Sequence, residues 1–491
     1  MGARLSLSLL LVIAGMSLFG FSSAGGSGLP PNPVPTIEAL SPNSSTLGGE
    51  SFTLSVVGSN FMPGSTVQWN AASLHTTFVS NTLLTAYVPS SFLSMPGPDA
   101  VTVVNPAPGG MSNSLNFVVP CVIPTVGPAS KQTRARLGAY YFDGWSGPLT
   151  NFHFDGLPFG TYQDRQPLSG WEDNSSCAVE QQLAWAHGFG IDFFVFDWYF
   201  NAEVHGRDKS SLNTALQITH SLSDRHGMKY AILYVNGPPF VAGPAAWNSA
   251  VNEWIGFMKD PAYERVNGKP VLFIINVGQM HETFGSTAAV EKALGELRAA
   301  AKTQGLGGVY VVGGFGVPDG TLGQDSLSPG FSIAQTDGYD AVAFYNYPFA
   351  PTPVNGMLPF STLADAAEWT WSQAVMDSTI PFIPTAMDGW DPRPWDETEP
   401  ITGDLLWYGR TPQDVATLVE SAISWTSANP TLRPEPAPAP PLVLIEAWNE
   451  LGEGSYMVPT VGDGTSYGDA LATMLTTTAN ASRDAVGATR P

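Results

Sequence analysis

Charge is scarce in this chain of 491 residues, of which 13% are Asp, Glu, Lys or Arg. So thin a supply excludes long charged helices and coiled coils. The 20 Lys and Arg face 42 Asp and Glu, leaving a formal charge of −22 that repels phosphate backbones and anionic lipid headgroups. Neither nucleic acid nor a membrane surface is expected as a partner. The seven histidines show no metal-ligand spacing such as HxxxH, and His220 with His226 reads as part of a helix and the turn after it. No metal and no other cofactor is expected. Only two cysteines occur, Cys121 and Cys177, which in an exported protein either pair or stay as buried thiols. After residue 24 no apolar run reaches the roughly 18 residues that span a bilayer.

What is present is apolar and turn-rich. Hydrophobic residues make up 43% of the chain and aromatic ones 11%, enough for a sizeable core, while 51 Gly and 42 Pro demand many turns. Met1 to Ala24 carries Arg4, an apolar stretch from Leu5 to Phe21, and Ser22-Ser23-Ala24 ahead of Gly25-Gly26. That is the plan of a secretory signal peptide, with a single-pass anchor as the alternative. A secreted, periplasmic or cell-surface location is expected, with no membrane association once the signal is removed.

Residues 25–35 read as a Gly/Pro-rich linker. From 36 to 119 short runs alternate apolar and polar residues between Gly, Asn and Pro, as in Phe52-Thr53-Leu54-Ser55-Val56-Val57, Thr66-Val67-Gln68-Trp69, Leu84-Thr85-Ala86-Tyr87-Val88 and Val101-Thr102-Val103-Val104. The expectation is a small antiparallel sandwich. The layout "SPNSSTLGGESFTLSVVGSNFMPGSTVQWN" followed by "VTVVNPAPGGMSNSLNFVV" resembles an immunoglobulin-like IPT/TIG domain. The resemblance implies a spacer or binding module rather than a catalyst.

A second linker, 120–135, leads into residues 136–491, where the pattern changes. Apolar runs at Leu137 to Phe142, Asp192 to Asp197, Lys229 to Val235, Pro270 to Ile275, Val309 to Val312, Ala341 to Tyr345, Ile380 to Ala386 and Leu442 to Ala447 alternate with helical signals. One such signal is Thr411-Pro412-Gln413-Asp414, a cap with Pro at N1, running into Val415, Leu418, Val419, Ala422 and Ile423. Continuous apolar strands between helices imply parallel pairing, so an α/β fold is expected: a (β/α)₈ TIM-like barrel behind an all-β immunoglobulin-like sandwich. An open doubly wound sheet is the alternative, disfavoured by the lack of a Gly-rich phosphate turn after the first strand.

In such barrels the site lies at the C-terminal ends of the strands. The first strand ends in Tyr140, Tyr141, Asp143 and Trp145, the second in Asp197 and Trp198, the third in Asn236 and the fourth in Asn276. The sixth ends in Tyr345 and Asn346, and the seventh in Asp388, Trp390 and Asp391 with Arg393 beyond. Aromatic faces suit the apolar faces of sugar rings, and Asp and Asn suit their hydroxyls, so an oligosaccharide or polysaccharide substrate is expected. The eighth strand runs into "LIEAWNELGEGSYMVPT", where Trp448 and Asn449 precede Glu450 and Glu453, spaced three apart among Gly452 and Gly454. A turn there brings both carboxylates into one cleft, as glycosidic cleavage requires. Two exposed glutamates on a solvated loop are the bland alternative, and Glu446 is a third acid within reach.

Across roughly residues 136 to 475 the chain resembles the catalytic domain of glycoside hydrolase family 99 and its WbsX-like relatives. The matching pieces are "AYYFDGW", "FFVFDWY", "YERVNGKPVLFI", "IPTAMDGWDPRPW" and "WNELGEGSYMVPT…YGDAL". The resemblance implies endo-acting, retaining hydrolysis of α-mannosides. Glu450 then helps the sugar's own 2-hydroxyl attack the anomeric carbon, and Glu453 serves as general acid and then base. The sequence departs from the family at Leu451-Gly452, where an aromatic residue and then His or a small residue are typical. That change leaves the carboxylate pair intact and bears on the α-mannoside specificity. A sugar transferase and a non-catalytic glycan-binding protein are the other two readings of the same barrel.

Overall fold

The computed structural model describes residues 32–46, 49–93, 96–124, 135–145, 157, 161–171, 173–202, 212–315, 327–347, 356–396 and 406–487. The expected signal peptide, residues 1–24, lies outside them. Among the described residues no helix is long and apolar enough to cross a membrane.

Two four-stranded antiparallel sheets form the N-terminal sandwich. One orders Thr36–Ser41, Phe52–Ser59, Leu83–Val88 and His75–Ser80, and the other Ala72–Ser73, Thr66–Trp69, Gly97–Val104 and Leu115–Val119. The alternation read from the sequence becomes alternation of burial. Leu54, Val56, Val67, Leu84, Val101 and Phe117 are fully enclosed between the sheets, and Trp69 packs on Phe117 at 4.8 Å.

The barrel strands are β1 (Arg136–Tyr141), β2 (Phe193–Trp198), β3 (Lys229–Tyr234), β4 (Lys269–Ile274), β5 (Tyr310–Gly313), β6 (Ala341–Ala343), β7 in two pieces (Phe382–Ile383 and Thr385–Met387) and β8 (Leu442–Glu446). Each pairs in parallel with the next, and β8 pairs with β1, so the sheet curls into a nearly closed barrel. The ladder breaks within β7 at Pro384, which has no N–H to give; its first piece pairs with β6 and its second with β8. Helices such as Ser176–Phe189, Trp247–Met258, Thr287–Thr303 and Pro412–Ala428 cover the outside. In the last, Thr411 and Asp414 form the expected capping box.

Close approach inside the barrel demands one glycine in particular. A Cβ on Gly138 in β1 would lie 2.3 Å from the Phe193 ring and 2.9 Å from Leu444. Cys121 and Cys177 are joined in a disulfide that ties the segment after the sandwich to the first turn of the helix after β1.

Candidate active site

Beyond Glu446 the chain leaves β8 through Ala447 and Trp448 and enters a small hairpin, in which Asn449–Glu450 pair antiparallel with Ser455–Tyr456. Residues 451–454 make the turn. Gly454 takes φ +71° there, and a side chain on it would collide with Asp391. The turn backbone is held in addition by Asp391, whose N–H donates to the Glu453 carbonyl. Glu450 and Glu453 thus sit on one short, clamped element at the C-terminal end of the barrel.

Their surroundings differ. Glu450 is buried, and its Oε1 accepts a 2.6 Å hydrogen bond from the Tyr345 hydroxyl. Burial pushes its carboxyl up to about 7, and the bond from Tyr345 limits the rise. Glu453 keeps part of its side chain in contact with solvent, yet desolvation, with the charges of Glu450 and Asp197 added, drives its carboxyl well above the usual range against a hydrogen bond from Asn346. Its Oε2 has no hydrogen-bond partner among the described residues. The pair is therefore unequal, with Glu453 pushed up further and Glu450 the readier of the two to ionise.

Asp197, at the end of β2, extends the network. Its Oδ2 lies 3.3 Å from the Tyr199 hydroxyl and 3.4 Å from that of Tyr345, while its Oδ1 is buried without a partner among the described residues. Tyr345 has one proton and gives it to Glu450 at the shorter distance, so it meets Asp197 only through the longer contact. Burial and then the Glu450 charge raise the Asp197 carboxyl well above the usual range, against the bonds from Tyr199 and Tyr345. Tyr140 stacks on Tyr345 at 4.7 Å and donates to the Phe344 carbonyl, which fixes the ring that holds Glu450.

The family model described as "Glycosyltransferase WbsX" matches residues 241–471, and that of the IPT/TIG domain matches residues 35–119. The first match covers the barrel from ahead of β4 to beyond β8, and the second covers the sandwich. No curated protein matches it. Among solved structures it is similar to the GH99 endo-alpha-mannosidase from Bacteroides thetaiotaomicron, at 14% identity and TM-score 0.46 over 71% of this chain and 98% of that one. It is also similar to a family 39 glycoside hydrolase from Bacteroides cellulosilyticus WH2, at 10% identity and TM-score 0.37 over 90% and 82% of the two chains. The sandwich is similar to the TIG domain of human nuclear factor of activated T-cells, cytoplasmic 4, at 24% identity and TM-score 0.15 over 21% of this chain and 96% of that domain.

The WbsX-like match spans β4 to β8 and so includes Tyr345, Glu450 and Glu453; Tyr140 and Asp197 come from strands ahead of it. Several other expected site residues brace the C-terminal end of the barrel. Asn449 uses its side chain to bond both the N–H and the carbonyl of Phe142, while its own carbonyl accepts from the Trp145 indole. Asn236 bridges to the backbone of Asn276, which caps the helix Val277–Phe284. Asp391 joins Arg165 and Arg393, and Arg393 stacks on Trp407 at 4.4 Å, with Trp390 half-buried beside them. Asp388 accepts from the Ala447 N–H at the foot of the hairpin.

Others are core. Trp198 and Trp448 are fully buried, with indole N–H groups donating to Glu253 and Gln182, and Tyr141 is packed on Phe194 and Phe196. Asp143 is buried and accepts from Leu216 N at 3.1 Å. Arg165 went unnoticed in the sequence. It donates to the Leu451 carbonyl 286 residues away, a pairing with no local signature. Among the described residues no three His, Cys, Asp or Glu side chains are grouped to hold a metal ion.

Proposed function

We propose that the protein is a retaining glycoside hydrolase that cuts a glycan within the barrel cleft, with Glu453 as general acid and then base and Glu450 as the carboxylate that assists attack at the anomeric centre. One observation carries this reading: two glutamates share a single hairpin, yet Glu450 is bonded by the Tyr345 hydroxyl at 2.6 Å while Glu453 has an Oε2 without a partner among the described residues, and burial pushes the first up to about 7 and the second well above the usual range. Protonating a leaving oxygen needs an acid that holds its proton at working pH, and assisting attack needs a base that has lost it. The Oδ1 of Asp197, without a partner among the described residues, and the Asn346 amide supply acceptors and donors for sugar hydroxyls beside the pair. The resemblance to family 99 favours an α-mannoside-like linkage, internal cleavage and attack by the substrate's own 2-hydroxyl. The leader at 1–24 favours export, where polysaccharide is the available substrate, and the sandwich then serves as a spacer.

A sugar-transferase reading is favoured by the description of the family model alone. Incubation with a panel of α- and β-linked oligosaccharides, with NMR of the first-formed anomer, separates the two. Shortened products of retained configuration support hydrolysis. Consumption of a nucleotide sugar with no shortening would support transfer and sink the hydrolase reading.

A further inference from the structure

Glu446 closes β8 four residues before Glu450, and the chemistry proposed above gives it no part. Its side chain is fully buried. The groups facing it are Glu453, Asp388 and Glu450, with the hydroxyls of Tyr140, Tyr345 and Tyr347; Arg410 acts on Asp388 rather than on Glu446. Its Oε2 lies 3.1 Å from the Ser455 hydroxyl, and its Oε1 has no hydrogen-bond partner among the described residues.

Ser455 decides which proton goes where. Its Oγ meets both the Glu446 carboxyl and the Gly389 carbonyl. A serine hydroxyl has one proton, and a backbone carbonyl can only accept. If Ser455 donates to Glu446, its oxygen is left against the Gly389 carbonyl, lone pair to lone pair. If it donates to Gly389, the contact with Glu446 is a hydrogen bond only when Glu446 supplies the proton. Only the second arrangement makes both contacts favourable. Ser455 is, moreover, the cross-strand partner of Glu450 in the hairpin.

We propose that Glu446 is a positioning residue: as a neutral carboxylic acid it donates to Ser455, which locks the hairpin strand opposite Glu450 onto Gly389 beyond β7 and adds no negative charge behind the catalytic pair. This inference rests on the reading of Glu450 and Glu453 as that pair. Burial, with three acids around it, shifts the Glu446 carboxyl upward despite the Ser455 contact, in the direction the hydrogen-bond count requires.

The test uses the full chain and three variants. Glu446→Gln keeps a neutral donor of nearly the same shape, so its kcat should stay within about threefold of wild type with unchanged limbs in the pH profile. Glu446→Leu removes the donor and Ser455→Ala removes the relay, and each should lower kcat about 10²-fold with KM little altered, the loss expected of a misplaced reacting group. Glu446→Gln falling as far as Glu446→Leu would overturn the proposal. A second arm needs no substrate and stays decisive if Glu446→Leu fails to fold. In the infrared difference between wild type and Glu446→Gln at pH 7, the lost band should be the carbonyl stretch of a protonated acid. Loss of carboxylate bands instead would overturn the proposal, whatever becomes of the hydrolase reading.

Discussion

Glu450 stores a cost that pH should reveal. Its carboxyl is pushed up to about 7 in the folded chain from an ordinary 4.5. Folding therefore tightens proton binding at this group. Its contribution to stability is full below pH 4.5 and is lost as the pH rises through 7. The difference between 4.5 and about 7, at about 1.4 kcal/mol per pH step, makes the loss about 3.5 kcal/mol above pH 8. Glu450→Gln keeps the shape and an amide oxygen to accept from Tyr345, but has no proton to lose. It should match wild type near pH 4 and exceed it by up to about 3.5 kcal/mol at pH 8, on the order of 5 °C in melting temperature. Thermal melts at pH 4, 6 and 8 measure this directly. A stability difference that does not grow with pH, or a variant less stable than wild type at pH 8, would refute the reasoning.

Three further outcomes are expected. Tyr345→Phe removes the hydrogen bond that holds the Glu450 carboxyl down, so the acid limb of kcat/KM should move to higher pH, which a pH–rate profile reads. Cys177→Ser opens a bridge between residues 56 apart. By the chain-entropy model it should cost about 4 kcal/mol in denaturant unfolding, and no measurable loss would count against a structural role for the bond. Deleting residues 36–119 should spare turnover of a short oligosaccharide, because the barrel supplies its own strands and its own core cluster. Loss of activity on that substrate would move the domain boundary.

All eight barrel strands were legible because a strand buried on both faces must be apolar throughout, and a helix between strands announces itself by caps such as Thr411 and Asp414. The boundaries were less so. The sixth strand was expected to reach Tyr345 but stops at Ala343, and it is this early stop that places Tyr345 in the turn where its hydroxyl meets Glu450. The break in β7 was written in Pro384, whose missing N–H shows its effect only once the neighbouring strands are known. Within the site, the turn carrying Glu450 and Glu453 could be read from Gly452 and Gly454. The tasks of Asn449, Asn236 and Trp198 could not. An Asn that clamps a backbone and an Asn that binds a sugar look alike in sequence, and Phe142, the partner of Asn449, lies 307 residues away. The same holds for Arg165, which reaches the hairpin from the loop after β1.

Whether the two glutamates divide the work of acid and base is tested most directly by comparing a glycoside bearing a natural sugar leaving group with its activated aryl counterpart. Glu453→Gln should lose about 10²–10⁴-fold on the natural substrate and far less on the aryl one, since an activated leaving group departs without a proton. Glu450→Gln should fail on both, because a better leaving group does not replace help to the attacking oxygen. If both variants turn over a substrate that the wild type cleaves at close to the wild-type rate, the carboxylate pair is not the machinery.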